Sequence, residues 1–289
     1  MGRIVTVAIG QMEISSDVEK NYEQAERMAK KACEKGAQLF CLPELFATQY
    51  FPQFEESEQD FSEPIPGKTS EFLSRLAKEN KLTIVGGTIF EKKQNGNSKS
   101  KKGYNTCLIY GPDGSLLSTY RKMHVPHDVC FYEKNYFLEG DLGYVVADTP
   151  VCKIAPMICF DQWFSEPARI VALMGAELIV YPTAIGTVDG IPQTEGDWQD
   201  AWITVMRGHA IANSVPIIAI NRVGREKSMD FWGNSFVCDA FGKVIAKAEK
   251  REQLLLAEID IDHGKSIREG WGFFSNRRPK TYSKLTNDG

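Results

Sequence analysis

Apolar positions in the first half of the chain alternate between strand-like runs and helical spacing. Residues 4–10 form a short apolar run with the length of a buried strand. After Ser16-Asp17-Val18-Glu19, which has the form of a capping box, Val18, Tyr22, Ala25, Ala29 and Ala32 recur on one helical face until Gly36. Residues 38–42 read as a second apolar strand ending at Pro43-Glu44. The spacing then predicts a helix over 69–80, with Phe72, Leu73, Leu76 and Ala77 inward, and a strand over 82–90. The lysine-rich stretch 91–103, with its Asn95-Gly96 pair, reads as a solvated hairpin loop. Strands over 105–110 and 116–120, joined by Gly111-Pro112-Asp113-Gly114, form a further hairpin.

The second half repeats this grammar. Gly36-Ala37-Gln38-Leu39 through Pro43 resembles Gly175-Ala176-Glu177-Leu178 through Pro182. Ala77, Asn80 and Ile84 recur as Ala210, Asn213 and Ile217, and the segment from Asn105 to Gly114 recurs from Asn234 to Gly242. The matches fall in the same order with slowly drifting separations, which points to a duplicated half. Two like α/β halves that each need a covered face imply sheet packed on sheet with helices outside. No Pro/Gly-rich linker parts them, so a single domain of α-β-β-α layers is expected over residues 1–289.

Composition narrows the function. The chain is 43% apolar and 25% charged, ordinary values for a globular protein, and its formal charge is −4. That balance argues against nucleic-acid binding, which needs a clustered positive surplus. No apolar run reaches the ~18–20 residues of a membrane span, and the first strand lacks the basic flank of a secretory leader. The seven cysteines are odd in number and scattered through strand-like contexts, as suits reduced thiols in the cytoplasm.

Three reactive side chains stand at the C-terminal ends of predicted strands, where α/β enzymes hold their catalysts: Glu44, Lys122 and Cys159. Cys159 ends a strand over 153–158, just before a helix opening near Ser165. A cysteine at such a turn meets backbone N–H groups and the positive helix end, which favours thiolate. Two rival constellations lie nearby. His124, His127 and Cys130 have ligand-like spacing, but Pro126 breaks the helical face a metal site needs, and His209 and His263 are isolated. No metal and no cofactor is therefore expected. A Cys–His hydrolase pairing Cys159 with His124 or His209 is the other alternative.

With these residues in place, the chain closely resembles the nitrilase superfamily of carbon–nitrogen hydrolases, from Val5 to about Lys284. That family's glutamate, lysine and cysteine lie in motifs like those at Glu44, Lys122 and Cys159. Within it, Ile158-Cys159-Phe160-Asp161-Gln162-Trp163 and Tyr181-Pro182-Thr183-Ala184-Ile185-Gly186 are similar to segments of the N-carbamoylputrescine amidohydrolases. So are Phe131-Tyr132-Glu133-Lys134, Asn221-Arg222-Val223-Gly224, Phe231-Trp232-Gly233-Asn234 and Trp271-Gly272-Phe273-Phe274. Phe160 departs from the tryptophan of many close relatives, which leaves the chemistry intact and alters the pocket.

The resemblance implies an α-β-β-α sandwich and a thiol amidohydrolase. Cys159 attacks a ureido or amide carbon, Glu44 exchanges protons, and Lys122 with the Phe160 N–H holds the oxyanion. Glu133, the family's second glutamate, orients Lys122 or receives the leaving ammonia. For the substrate's amine tail, Asp189 and Glu195 are the candidate acids, with Tyr50 and Trp163 as walls and Ala184 in the pocket motif. Arg169, the only arginine near the pocket motifs, is expected to turn outward. The aromatic and basic tail, about 270–289, resembles the family segment that packs across a subunit interface, so a homo-oligomer is expected.

Overall fold

The computed structural model describes residues 2–93 and 102–286; most of the expected 91–103 hairpin, including Asn95-Gly96, lies outside the described residues. The first half runs β1 (Ile4–Gln11), α1 (Val18–Glu34), β2 (Leu39–Cys41), α2 (Lys68–Asn80), β3 (Thr83–Val85), β4 (Ile89–Glu91), β5 (Tyr104–Tyr110) and β6 (Leu116–Arg121). A short helix, α3 (Glu133–Tyr136), and β7 (Ala147–Asp148) lead on to β8 (Lys153–Pro156). Then come α4 (Ser165–Leu173), β9 (Leu178–Thr183), β10 (Gly186–Val188), α5 (Trp198–Asn213) and β11 (Ile217–Asn221). The chain closes with β12 (Val223–Glu226), β13 (Met229–Trp232), β14 (Phe236–Cys238), β15 (Val244–Lys247), β16 (Gln253–Asp260) and α6 (His263–Trp271).

The duplication is visible in the strand pairing. In one sheet β1, β2 and β3 are parallel neighbours, β5 runs antiparallel to β3, and β6 antiparallel to β5. In the other, β8, β9 and β11 are parallel, β14 is antiparallel to β11, and β15 antiparallel to β14. Helices α1 and α2 make the crossovers of the first unit, and α4 and α5 those of the second. The order β16-β1-β2-β3-β5 shows that the last long strand returns to the first sheet, beside β1.

Strand alternation builds the layers. Val5, Val7, Ile9, Leu39, Cys41, Cys107 and Ile109 point from the first sheet into one core with Ile154, Leu178, Val180 and Ile218 of the second. Their neighbours Ala8, Phe40, Ile84 and Leu108 point the other way, into a core with Tyr22, Met28 and Ala29 of α1 and Phe72, Leu73 and Leu76 of α2. Period-two strands therefore serve two cores at once, one against helices and one between sheets. Helices α4 and α5 cover the far side through Ala168, Val171, Trp202 and Met206.

Two local expectations need correction. Helix α1 is capped by Asp17, whose side chain accepts the Glu19 N–H at 3.0 Å, and not by a Ser16–Glu19 box. The carboxylate wins because it accepts a stronger hydrogen bond at a helix N-terminus than a hydroxyl. The expected strand over 82–90 is two strands, β3 and β4, broken at Gly86-Gly87. Gly87 has φ +60°, and a Cβ there would lie 2.1 Å from the Pro43 carbonyl oxygen. Only glycine admits that approach, which seats the chain carrying Glu44 against β3.

Candidate active site

The topology gathers the reactive residues. Because β6 is antiparallel to β5 and β5 to β3, β6 runs in the direction of β2, and both end at the same edge of the sheet. Glu44 follows β2 and Lys122 follows β6. Asn105, near the start of antiparallel β5, lies at that edge too. Its backbone carbonyl accepts the Lys122 N–H at 2.9 Å, and its side-chain Nδ2 donates to Glu44 Oε1 at 2.8 Å. Cys159 arrives from the facing sheet, after β8.

Lys122 is fully buried with its Nζ 2.8 Å from Glu44 Oε1 and 2.6 Å from Glu133 Oε2. Burial pulls the ammonium's pKa down, but Glu133 and Glu44 outweigh it and hold the group above its ordinary range. Burial pushes the Glu133 carboxyl up, against Lys122 and the Tyr50 hydroxyl, which donates to Glu133 Oε1 at 2.7 Å. One ammonium thus faces two carboxylates in a dry site. Glu44 Oε2 makes no hydrogen bond within the protein, so one carboxylate oxygen is free for proton exchange.

Cys159 opens a 3-10 turn over Cys159–Trp163 and has φ +39°, a left-handed conformation costly for a residue with a Cβ, on the order of 1–3 kcal/mol. Asp161 holds the turn in place. Its buried carboxylate accepts Ile158 N–H at 3.0 Å, Tyr120 O–H at 2.8 Å and His124 N–H at 3.0 Å, with His124 Nδ1 2.7 Å away. Gln162, the next residue, accepts from Trp202 Nε1 at 2.8 Å. The Cys159 thiol lies 4.0 Å from the Ala184 carbonyl oxygen.

The expectation of a resting thiolate does not survive. Burial raises the Cys159 pKa well above its ordinary range, and the Glu44 carboxylate raises it further, against Lys122. The helix near Ser165 does not compensate, because a 3-10 turn intervenes between it and the sulfur. At rest Cys159 therefore carries a thiol and not a thiolate.

Cys159 lines a cleft of about 480 Å³. Its walls are mostly apolar and include the rings of Phe131, Phe160, Trp163, Trp198 and Trp232, and it carries the acids Asp128 and Glu195. Trp198 Nε1 donates to Glu195 Oε2 at 3.0 Å and helps hold that carboxyl below its ordinary range. Of the residues expected to bind substrate, Phe160, Trp163 and Glu195 line this cleft. Ala184 is buried at the sulfur. Tyr50 is not a wall: it is fully buried behind the site with its hydroxyl on Glu133. Asp189 is not among the lining residues; its exposed carboxylate pairs with the Arg225 guanidinium. Arg169 turns away, donating to the Ala212 carbonyl at 2.8 Å.

The rival constellations are otherwise engaged. His124 stacks on Phe164 at 3.9 Å between centroids and pairs with Asp161, while His209 Nε2 lies 2.8 Å from the Gln162 carbonyl. Among the described residues, no group of three His, Cys, Asp or Glu side chains is arranged to hold a metal ion. Four polar side chains that the sequence pattern does not single out complete the site: Asn105, Asp161, Arg222 and Glu226. Asn105 carries a signal, since it opens one of the repeated segments; Asp161 and Arg222 stand inside motifs without a chemical role legible there.

Comparison with known proteins gives the family of this fold. The carbon-nitrogen hydrolase family matches residues 6–269. The chain belongs to that family. It is 41% identical to an N-carbamoylputrescine amidase of Solanum lycopersicum, over 99% of this chain and 97% of that protein. A citrullinase of Francisella tularensis is 34% identical over 97% of this chain and 98% of its own length. Among solved structures, a carbon-nitrogen hydrolase of Helicobacter pylori G27 superposes with a TM-score of 0.92 at 36% identity, covering 99% of both chains. The carbon-nitrogen hydrolase fold and its α-β-β-α layering are those the sequence pattern predicts.

Proposed function

We propose that this enzyme hydrolyses N-carbamoylputrescine to putrescine, carbon dioxide and ammonia. The observation that carries the reading is the cleft over Cys159. Its aromatic walls suit an aliphatic chain, it bears the two carboxylates Asp128 and Glu195, and no lysine or arginine is among its lining residues. A cationic amine tail is attracted by such a lining through charge and ring faces. The alternatives within the superfamily, ω-amidase, β-ureidopropionase-like and N-carbamoyl-amino-acid hydrolase activity, act on acids and need a cationic clamp that this lining lacks. The identity to the tomato amidase supports the same substrate.

The chemistry follows from the groups present. Glu44 takes the thiol proton of Cys159 as the sulfur attacks the ureido carbon. The negative charge that develops on the carbonyl oxygen is met by the Lys122 ammonium and the Phe160 N–H. Collapse breaks the bond to the terminal nitrogen, which takes the proton from Glu44 and leaves as ammonia, and a thiocarbamate remains on Cys159. Glu44 then deprotonates water, which attacks that carbon and frees the thiol. The released carbamate loses carbon dioxide and yields the amine. Glu133 keeps Lys122 charged and aligned throughout. Ammonia release by Cys159→Ala tests the nucleophile: loss of activity is expected, and retention overturns the mechanism.

We infer that residues 1–289 act as one catalytic domain, because Glu44 and Lys122 come from one repeated unit and Cys159 from the other. All seven cysteines are free, in keeping with the cytoplasm as the compartment, and among the described residues no helix is long and apolar enough to cross a membrane. The tail also supports a homo-oligomer. Trp271 and Leu285 are 63% and 68% exposed, and Ile170 and Leu173 of α4 and Met174 just after it are exposed as well. Sedimentation checks this: Leu173→Glu is expected to lower the assembly state, and a monomeric unaltered protein contradicts it.

A further inference from the structure

The motif Asn221-Arg222 ends β11 and enters the turn to β12, and its two side chains reach opposite walls of the active site. Asn221 Nδ2 donates to the Ile185 carbonyl at 2.9 Å and its Oδ1 accepts the Ile185 N–H at 3.0 Å. That fixes the residue after Ala184, whose carbonyl faces the Cys159 sulfur. Arg222 turns toward the other wall. Its Nη2 donates to the carbonyls of Glu44 at 2.9 Å, Leu45 at 2.7 Å and Thr48 at 3.1 Å. Its Nη1 donates to Glu226 at 2.8 and 3.1 Å, and both side chains are fully buried. Glu226 Oε2 in turn accepts the Tyr50 N–H at 2.6 Å.

The loop that Arg222 and Glu226 grip is braced largely from outside: besides its own turn bond from Thr48 N–H to the Leu45 carbonyl at 3.1 Å, the Leu45 N–H donates to Thr88 Oγ1 at 2.9 Å and Asn21 Nδ2 donates to the Ala47 carbonyl at 3.0 Å. Leu45 has φ +49°, a left-handed conformation for a branched side chain, and no helix or strand runs through 42–50. Yet this loop carries Glu44 at one end and, at the other, Tyr50, whose hydroxyl holds Glu133. Both carboxylates on Lys122 are therefore tied to one buried ion pair, Arg222–Glu226, which is not among the cleft's lining residues and does not bond Lys122.

We infer that Arg222 and Glu226 are positioning residues that set the two carboxylates on Lys122, Glu44 directly through its backbone and Glu133 through Tyr50. A guanidinium is needed because a planar fork can donate to three carbonyls and a carboxylate at once, and an ammonium has neither the donors nor the spread. A loop displaced by about 1 Å carries Glu44 out of reach of the reacting atoms, and misplacement of that size costs roughly 100-fold in rate. Substrate binding in the cleft is left largely intact, since Asp128, Glu195, Phe160, Trp163 and Trp198 belong to other segments and Trp232, on β13 beside β12, is held by strand pairing that the Arg222 side chain does not make.

The inference rests on Glu44 and Glu133 acting as proposed, so Glu44→Gln is measured beside it. The test compares Arg222→Lys and Glu226→Gln with the unaltered enzyme for kcat, KM and the pH dependence of Cys159 alkylation by iodoacetamide. Glu226→Gln keeps an acceptor for the Tyr50 N–H, and it remains measurable where the lysine variant fails to fold. For Arg222→Lys a kcat lower by roughly 100-fold with KM within about threefold is expected. The alkylation profile is expected to move to lower pH, because the carboxylate that keeps Cys159 protonated has withdrawn. Glu226→Gln is expected to move the same quantities in the same direction by less. A general loss of stability alone does not shift that profile. Folded variants with unchanged kcat and alkylation profile overturn the clamp, provided Glu44→Gln is inactive. If Glu44→Gln keeps its activity, the base assignment falls and the clamp's catalytic role falls with it.

Discussion

Tyr50 donates its hydroxyl to Glu133 at 2.7 Å from a fully buried position, on the side of the carboxylate opposite Lys122. A phenol so placed satisfies the carboxylate oxygen that the lysine leaves over. This explains how a glutamate, a lysine and a second glutamate coexist out of contact with water. Each charge lost from such a cluster strands another, at a cost of about 3–5 kcal/mol. Lys122 and its carboxylates are therefore constraints on folding and, in the proposed mechanism, on rate as well.

Removal of that hydroxyl is the mildest perturbation of the cluster. In Tyr50→Phe the Glu133 oxygen loses a donor that lowers its pKa, so the pKa rises further. The acid limb of the kcat profile is expected to move to higher pH, because Glu133 must be ionised to keep Lys122 in place. Stability is expected to fall by about 1–3 kcal/mol, the cost of an unsatisfied buried acceptor. Thermal melting and a pH–rate profile check both.

The raised thiol pKa of Cys159 carries its own prediction. Iodoacetamide is expected to inactivate the enzyme slowly at neutral pH, with the rate climbing only above the ordinary thiol range of about 8.5. In Glu44→Gln the negative charge opposing ionisation is gone while Lys122 stays, so the climb is expected at lower pH. An unshifted profile would contradict the electrostatic account of the site.

Gly87 links the fold to the catalyst. Alanine there places a methyl carbon against the Pro43 carbonyl and enforces a positive φ on a residue that avoids it. Gly87→Ala is expected to lower kcat through Glu44, one residue after Pro43, by more than it raises KM. Steady-state kinetics on the purified variant measures the split.

At the mouth of the cleft, Asp128 and Glu195 are solvent-exposed, so each contributes modestly through screened charge. Asp128→Asn and Glu195→Gln are expected to raise KM for a cationic substrate by about two- to fivefold each, since exposed charges are screened by solvent and each contributes little. The effect is expected to fade at high salt, and kcat is expected to stay near its original value.

Much of this was legible in the sequence, and what was not has a common cause. Glu44, Lys122 and Cys159 stand out because strand ends in an α/β layer are local features, read from short apolar runs. The repeat of Asn105 to Gly114 at Asn234 to Gly242 carried the sheet topology for the same reason. By contrast, Arg222 bonds Glu44 across 178 positions of sequence, and nothing near Arg222 in the chain points to that partner. Asp161 likewise acts on Tyr120 and His124 from another sheet. Tyr50 and Asp189 are side chains whose types suit a pocket, yet packing sends one behind the site and the other to a surface ion pair with Arg225. The left-handed φ of Cys159 is equally invisible from residue type, and with it the depth at which the thiol is buried.

The central claim, a thiol amidohydrolase acting on a carbamoylated amine, is tested most directly by its substrate preference. Ammonia release is measured from N-carbamoylputrescine, N-carbamoyl-β-alanine and glutamine under the same conditions, with Cys159→Ala as the control. The account predicts turnover of N-carbamoylputrescine far above the other two, lost in the variant. Preference for either carboxylate-bearing substrate would contradict the reading of the cleft, and turnover that survives in Cys159→Ala would contradict the mechanism.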